Sequence, residues 1–165
     1  MAGAKDVVLA QLESGRMILD MFTKDLTDTE YYQPPMAGGN HTAWVLGHLA
    51  CTEDWVVGAI AGSGPRLPQA THKLFNGQST CVADSSKYPP PRELEEMFRN
   101  ARDHTVEILN AFDDRKWGDP APEGVPREFF PTMGAVWGMQ ATHQFWHIGH
   151  VSACRTALGK PRQLT

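Results

Sequence analysis

The sequence predicts an all-α fold, a four-helix bundle with two long connections. Twelve prolines cut the chain into Pro-free runs at 1–33, 36–64, 69–88, 92–119 and 132–160. Proline is excluded from helix interiors, so long helices are confined to such runs. Four of the five runs repeat their core-type residues at steps of three and four, the mark of a helix that buries one face. No alternating strand pattern, hairpin signal or internal repeat competes with this reading.

The first helix carries Val8, Leu12, Gly15, Leu19, Phe22 and Leu26 on one stripe. The second carries Trp44, His48, Cys51 and Trp55. A polar connection over 63–90 follows, with a short helix expected around His72 to Phe75. Pro89-Pro90-Pro91 ends it, and Pro91 suits the first turn of the next helix. That third helix repeats Leu94, Met97, Ala101, His104, Ile108 and Ala111. A second irregular connection, 114–131, holds Gly118, Pro120, Pro122, Gly124 and Pro126. The fourth helix repeats Val136, Gln140, His143, His147, His150, Cys154 and Ala157. Thr132 is its expected N-cap, and Gly159 with Pro161 its stop.

At 165 residues the chain is expected to be a single domain over 1–165. A net charge of −4 without a basic run argues against a nucleic-acid partner. No apolar stretch approaches the ~20 residues of a membrane span, so no membrane partner is expected. The start, Met1 to Asp6, lacks signal-peptide character. Three distant cysteines, Cys51, Cys81 and Cys154, have no metal or disulfide spacing, which points to reduced thiols in a cytoplasm.

The histidines carry the functional signal. Five of seven (His48, His104, His143, His147 and His150) fall on the inferred inward stripes. Each buried imidazole needs a partner or costs about 1–3 kcal/mol, and a metal ion is the partner that serves several at once. His143 and His150 are separated by seven residues, about 10.5 Å of helix. Ligand nitrogens on one zinc lie only ~3–3.5 Å apart. The helix therefore offers His143 with His147, or His147 with His150. The third ligand must come from another helix: His48 leads, with Gly47 beside it, and His104 is its rival. Residue 144 is Gln, so the run is not a zincin motif, and no ExxH, CxxCH or phosphate loop occurs. Neutral imidazoles suit Zn²⁺, Ni²⁺ or Fe²⁺.

Trp44, Trp55, Trp137 and Trp146 flank these positions. They read as packing residues, with Trp44 and Trp146 also placed to wall a metal pocket. Glu53 and Asp54 read as surface or helix-pairing charges, and His41 and His72 as solvated loop or helix-end residues.

The stretch Asn40-His41-Thr42-Ala43-Trp44-Val45-Leu46-Gly47-His48-Leu49-Ala50 resembles the W-x-x-G-H-[LI] signature of the DinB-like (DinB/YfiT) superfamily. His143-x-x-x-His147-x-Gly149 resembles its second signature, H-x-x-x-H-x-G-Q, and Arg155 to Pro161 is similar to that family's close. The resemblance implies a DinB-like four-helix bundle, a homodimer, and a divalent metal, zinc or nickel, on His48, His143 and His147. His150 stands where the family often has Gln, which implies a place behind the ligands or against a substrate. Characterised relatives act on low-molecular-weight thiols.

Three protein ligands leave a fourth position of a catalytic zinc open. A small-molecule thiol there ionises and becomes a nucleophile toward an electrophile, giving S-transfer. A water there drops to a pKa near 7 and gives a hydrolase. A non-catalytic, metal-stabilised dimeric binding module is the third reading.

Overall fold

The computed structural model describes residues 3–164. Met1, Ala2 and Thr165, the ends of the expected domain, lie outside the described residues. The structure is all-helical: α1 (Ala4–Thr23), α2 (Thr42–Ala61), the short α3 (Gln69–Phe75), α4 (Pro91–Ala111) and α5 (Met133–Ala157). An isolated antiparallel bridge between Pro120 and Thr132 ties the second long connection to the start of α5.

Around the bundle, α1 packs on α5, α5 on α2, α2 on α4 and α4 back on α1. Consecutive long helices α1 and α2, and α4 and α5, thus face each other across the diagonals. That is a crossover bundle, and it explains why those connections are long. No helix is long and apolar enough to cross a membrane among the described residues.

Local chemistry sets the ends. Thr132 caps α5, its hydroxyl accepting from the Ala135 N–H at 3.2 Å, and Gly159, at φ 69°, closes it. Pro91 begins α4. Helix α2 is buried nearly all round, because α3, α4 and α5 all pack against it. Helix α1 approaches α5 closely: a Cβ on Gly15 would lie within 2.6 Å of the Gln144 amide.

Two expectations need correction. The buried stripe of α4 is Pro91, Leu94, Phe98, Arg102, Thr105 and Leu109, not the stripe through Met97, Ala101 and His104. Arg102 is 1% exposed because it meets Glu53 of α2, its Nε donating to Glu53 Oε2 at 2.9 Å. The Thr105 hydroxyl donates to the same oxygen at 3.0 Å, and Arg102 Nη1 donates to the Leu12 carbonyl of α1. Glu53 does pair helices, but neither it nor Asp54 is a surface charge; both are buried. Asp54 accepts from the Arg66 and Leu67 N–H groups and from His72 Nε2, each at about 2.9–3.0 Å. It thereby fixes the start of the 63–90 connection against α2.

Candidate metal centre

Helix α2 presents His48, and α5 presents His143 and His147 one turn apart. The three Nε2 atoms converge: His48 Nε2 is 3.4 Å and His147 Nε2 is 3.1 Å from His143 Nε2. One ligand atom from each ring lies within 4.8 Å of the others, and among the described residues no carboxylate or thiol joins the group. Those spacings match nitrogens that share one ion at bonds of about 2.0–2.1 Å.

Proton placement argues in the same direction. His48 Nδ1 lies 2.7 Å from the Phe75 carbonyl. A carbonyl only accepts, so the ring carries its proton on Nδ1 and turns the bare Nε2 inward. Gly47 makes this contact feasible, because a Cβ there would sit 2.4 Å from the Phe75 ring. The glycine brings α3 against α2, rather than one long helix against another. His147 Nε2 likewise faces inward while its Nδ1 meets His150 Nδ1 at 3.3 Å. His143 Nε2 faces both of these inward nitrogens, and a single ring N–H there can serve only one of them, whereas a cation serves all three. The donor set therefore fits a divalent metal ion.

Burial suppresses protonation of the cluster. It lowers the pKa of His48, against the opposing effect of the Phe75 carbonyl. It pushes His143 to about 4, with His48 adding to the shift. His147 is pushed to about 2 by burial, then by His143, His48 and His150. All three rings are neutral at pH 7, which is the form that binds metal.

The aromatic neighbours differ. Trp44 is buried and stacks on His48, centroids 4.7 Å apart at 10°. Its Nε1 donates to Ser79 Oγ at 3.0 Å, which holds the 76–82 segment over the α2 side of the cluster. Trp146 stacks beside His147 at 6.5 Å and 18° but is 73% exposed, so it forms an outer lip. Trp137 is core, and Trp55 is partly exposed.

His104 is brought elsewhere. It lines an acidic groove of about 640 Å³ with Asp54, Glu93, Glu96, Asp103 and Glu107, and its Nδ1 faces Glu107 at 3.3 Å. The expectation that it approaches the histidine cluster is overturned, because the inward register of α4 belongs to Arg102 and Thr105. His41 is not solvated but fully buried: Nδ1 accepts from the Trp44 N–H at 3.0 Å and caps α2, and Nε2 donates to the Val82 carbonyl at 3.1 Å. His72 is partly buried and held by Asp54. Phe75 and Ser79, which orient His48 and Trp44, gave no sign in the sequence: a carbonyl leaves no side-chain signature, and a serine 35 positions from Trp44 in a polar connection looks like any other.

Fold and cluster define a class first: helical bundles that gather three imidazoles from two of their helices. The model of the DinB superfamily matches residues 11–151, most of the chain, and the protein belongs to that superfamily. Membership and the cluster are both compatible with metal binding. No curated protein matches the chain.

Proposed function

We propose that this protein is a metal-dependent enzyme in which His48, His143 and His147 hold a divalent ion, zinc or nickel, and a low-molecular-weight thiol is transferred to an electrophile. The observation that carries the reading is the convergence of three Nε2 atoms without a fourth protein donor among the described residues. When bound, the ion supplies Lewis acidity that lowers the pKa of a thiol or water reaching its open side. The overall reaction is RSH + R′–X → R–S–R′ + X⁻ + H⁺.

The chain's own residues favour an external thiol. Burial pushes Cys51 up to about 12 and also raises Cys81 and Cys154, so the protein offers no thiolate of its own at neutral pH. The free state of all three cysteines suits a cytoplasmic setting among reduced thiols. Trp44 excludes water from one side of His48, and Trp146 offers a flat surface beside His147.

Hydrolysis stands second. It wants a general base near the water, and the acids that follow His48 on its own helix, Glu53 and Asp54, are occupied by Arg102 and by the 66–72 segment. The outer face of α5 supports a homodimer: from Met133 to Cys154 that helix has no Asp, Glu, Lys or Arg, and Phe145 and Trp146 are exposed.

The test is elemental analysis of the protein as expressed. A screen of glutathione, mycothiol and bacillithiol against an activated aryl halide follows, with and without chelator. A chelator-sensitive rate with one thiol supports the reading. Metal content without any thiol-dependent rate favours the hydrolase or the non-catalytic module. Light scattering with Phe145→Glu tests the dimer, which that charge should split.

A further inference from the structure

We propose that His150 is a positioning residue: its Nδ1 accepts the Nδ1 proton of His147 and so holds the His147 Nε2 lone pair toward the cluster. The inference rests on the metal-site reading above and names the group that orients its most buried α5 ligand.

His147 Nε2, 3.1 Å from His143 Nε2, is on the cluster side of its ring. Its Nδ1 is on the far side, 3.3 Å from His150 Nδ1. Two ring nitrogens at that distance need one proton between them. A neutral imidazole has a single N–H, and a ligand nitrogen must be bare. The proton therefore sits on His147 Nδ1, His150 Nδ1 accepts it, and the proton of His150 goes to its own Nε2. No main-chain carbonyl takes the His147 Nδ1 proton among the described residues. The i, i+3 spacing on α5 supplies the geometry, with the rings edge to face at 5.2 Å and 72°.

The three ligands are thus held in three ways. A carbonyl fixes His48 and a second imidazole fixes His147. His143, half-buried, has no protein partner on its Nδ1 among the described residues. The Phe75 carbonyl comes from the end of the short α3, whereas His150 comes from the same helix as the ligand it orients. A neutral acceptor also leaves the positive charge of the centre uncompensated, which keeps the ion strongly acidic toward a thiol; a carboxylate at 150 would weaken it.

The test uses ¹⁵N-histidine-labelled, metal-free protein and long-range ¹H–¹⁵N correlation, which tells the two tautomers apart. Wild type should show His147 as the Nδ1–H form. In His150→Ala that form should give way to Nε2–H, which can donate to His143, and affinities for Zn²⁺ and Ni²⁺, by competition with a chromophoric chelator, should fall by about 10–100-fold. His150→Gln keeps an acceptor oxygen and should restore both readouts. Should the alanine variant not fold, His150→Leu carries the same test. An unchanged tautomer and unchanged affinities in a folded His150→Ala or His150→Leu protein would overturn the proposal. If wild type binds neither ion, the metal-site reading falls, while the tautomer of His147 in metal-free protein still decides the role of His150.

Discussion

Helix α2 takes part in two polar clusters five residues apart, and they are built on opposite terms. At Glu53, each partner supplies what the other lacks: a carboxylate accepts from a guanidinium and a hydroxyl, and the guanidinium also serves a carbonyl of α1. At His48, like meets like: three imidazoles turn a ring nitrogen toward one another, and the one proton fixed by a carbonyl, on His48 Nδ1, points away. The first cluster is complete without help. The second has room for a cation that would complete it. A buried polar group is evidence of a site when its neighbours share its deficit, and of architecture when they cancel it.

The largest expected effect falls on the complete cluster. Arg102→Ala strands a buried carboxylate and should cost about 3–5 kcal/mol in chemical denaturation. A Glu53→Met/Arg102→Met double variant should recover most of that loss. If Arg102→Ala costs no more than a surface change, the network is ornamental and the contrast collapses.

The metal-dependent part comes next. Ion at a hundredfold excess over its dissociation constant should stabilise the wild type by about 2.7 kcal/mol. His147→Ala should abolish that gain. Thermal melts with and without Zn²⁺ read it directly, and a retained gain in the variant would remove His147 from the ligand set.

A third effect depends on pH. The folded pKa values of His143 and His147 lie below the ordinary 6.5, so the unfolded chain protonates first. Stability of the metal-free protein is therefore full well above pH 6.5 and declines as pH falls, down to about 4 for His143 and about 2 for His147. The loss between pH 6.5 and 5.5 should be about 1 kcal/mol for each such ring. Urea midpoints across that window should fall less steeply in His143→Asn; an identical slope would mean that His143 stays protonatable in the fold.

Trp146→Ala should move stability least, by under about 0.5 kcal/mol, because the ring is largely exposed. On the proposed thiol transfer its effect belongs in the KM for an aromatic electrophile, and a large loss of stability instead would place the ring in an interface.

The sequence made the helices legible because proline placement and apolar stripes are local signals. It also made His48, His143 and His147 candidates, since helical spacing limits which rings can meet. It hid the register of α4. Arg102 and Thr105 look like surface residues until Glu53, 49 and 52 positions earlier, is placed opposite them, and hydrophobic periodicity cannot see a charge neutralised across helices. The same blindness put His104 on the inward stripe and left Glu53 and Asp54 undecided between surface and helix-pairing charges. His41 was hidden differently: a ring that caps a helix and donates to a carbonyl needs no second side chain to betray it.

Gly47 shows what such hidden dependence means for reading mutational data. It has no functional group, yet an alanine there would press into the Phe75 ring and push away the carbonyl that sets the proton on His48. In a saturation scan scored by metal loading, position 47 should behave as an imidazole does, intolerant of nearly everything. In a scan scored by abundance it should look far more permissive. A hydrogen atom, by leaving room, would be inherited together with the ligands it never touches.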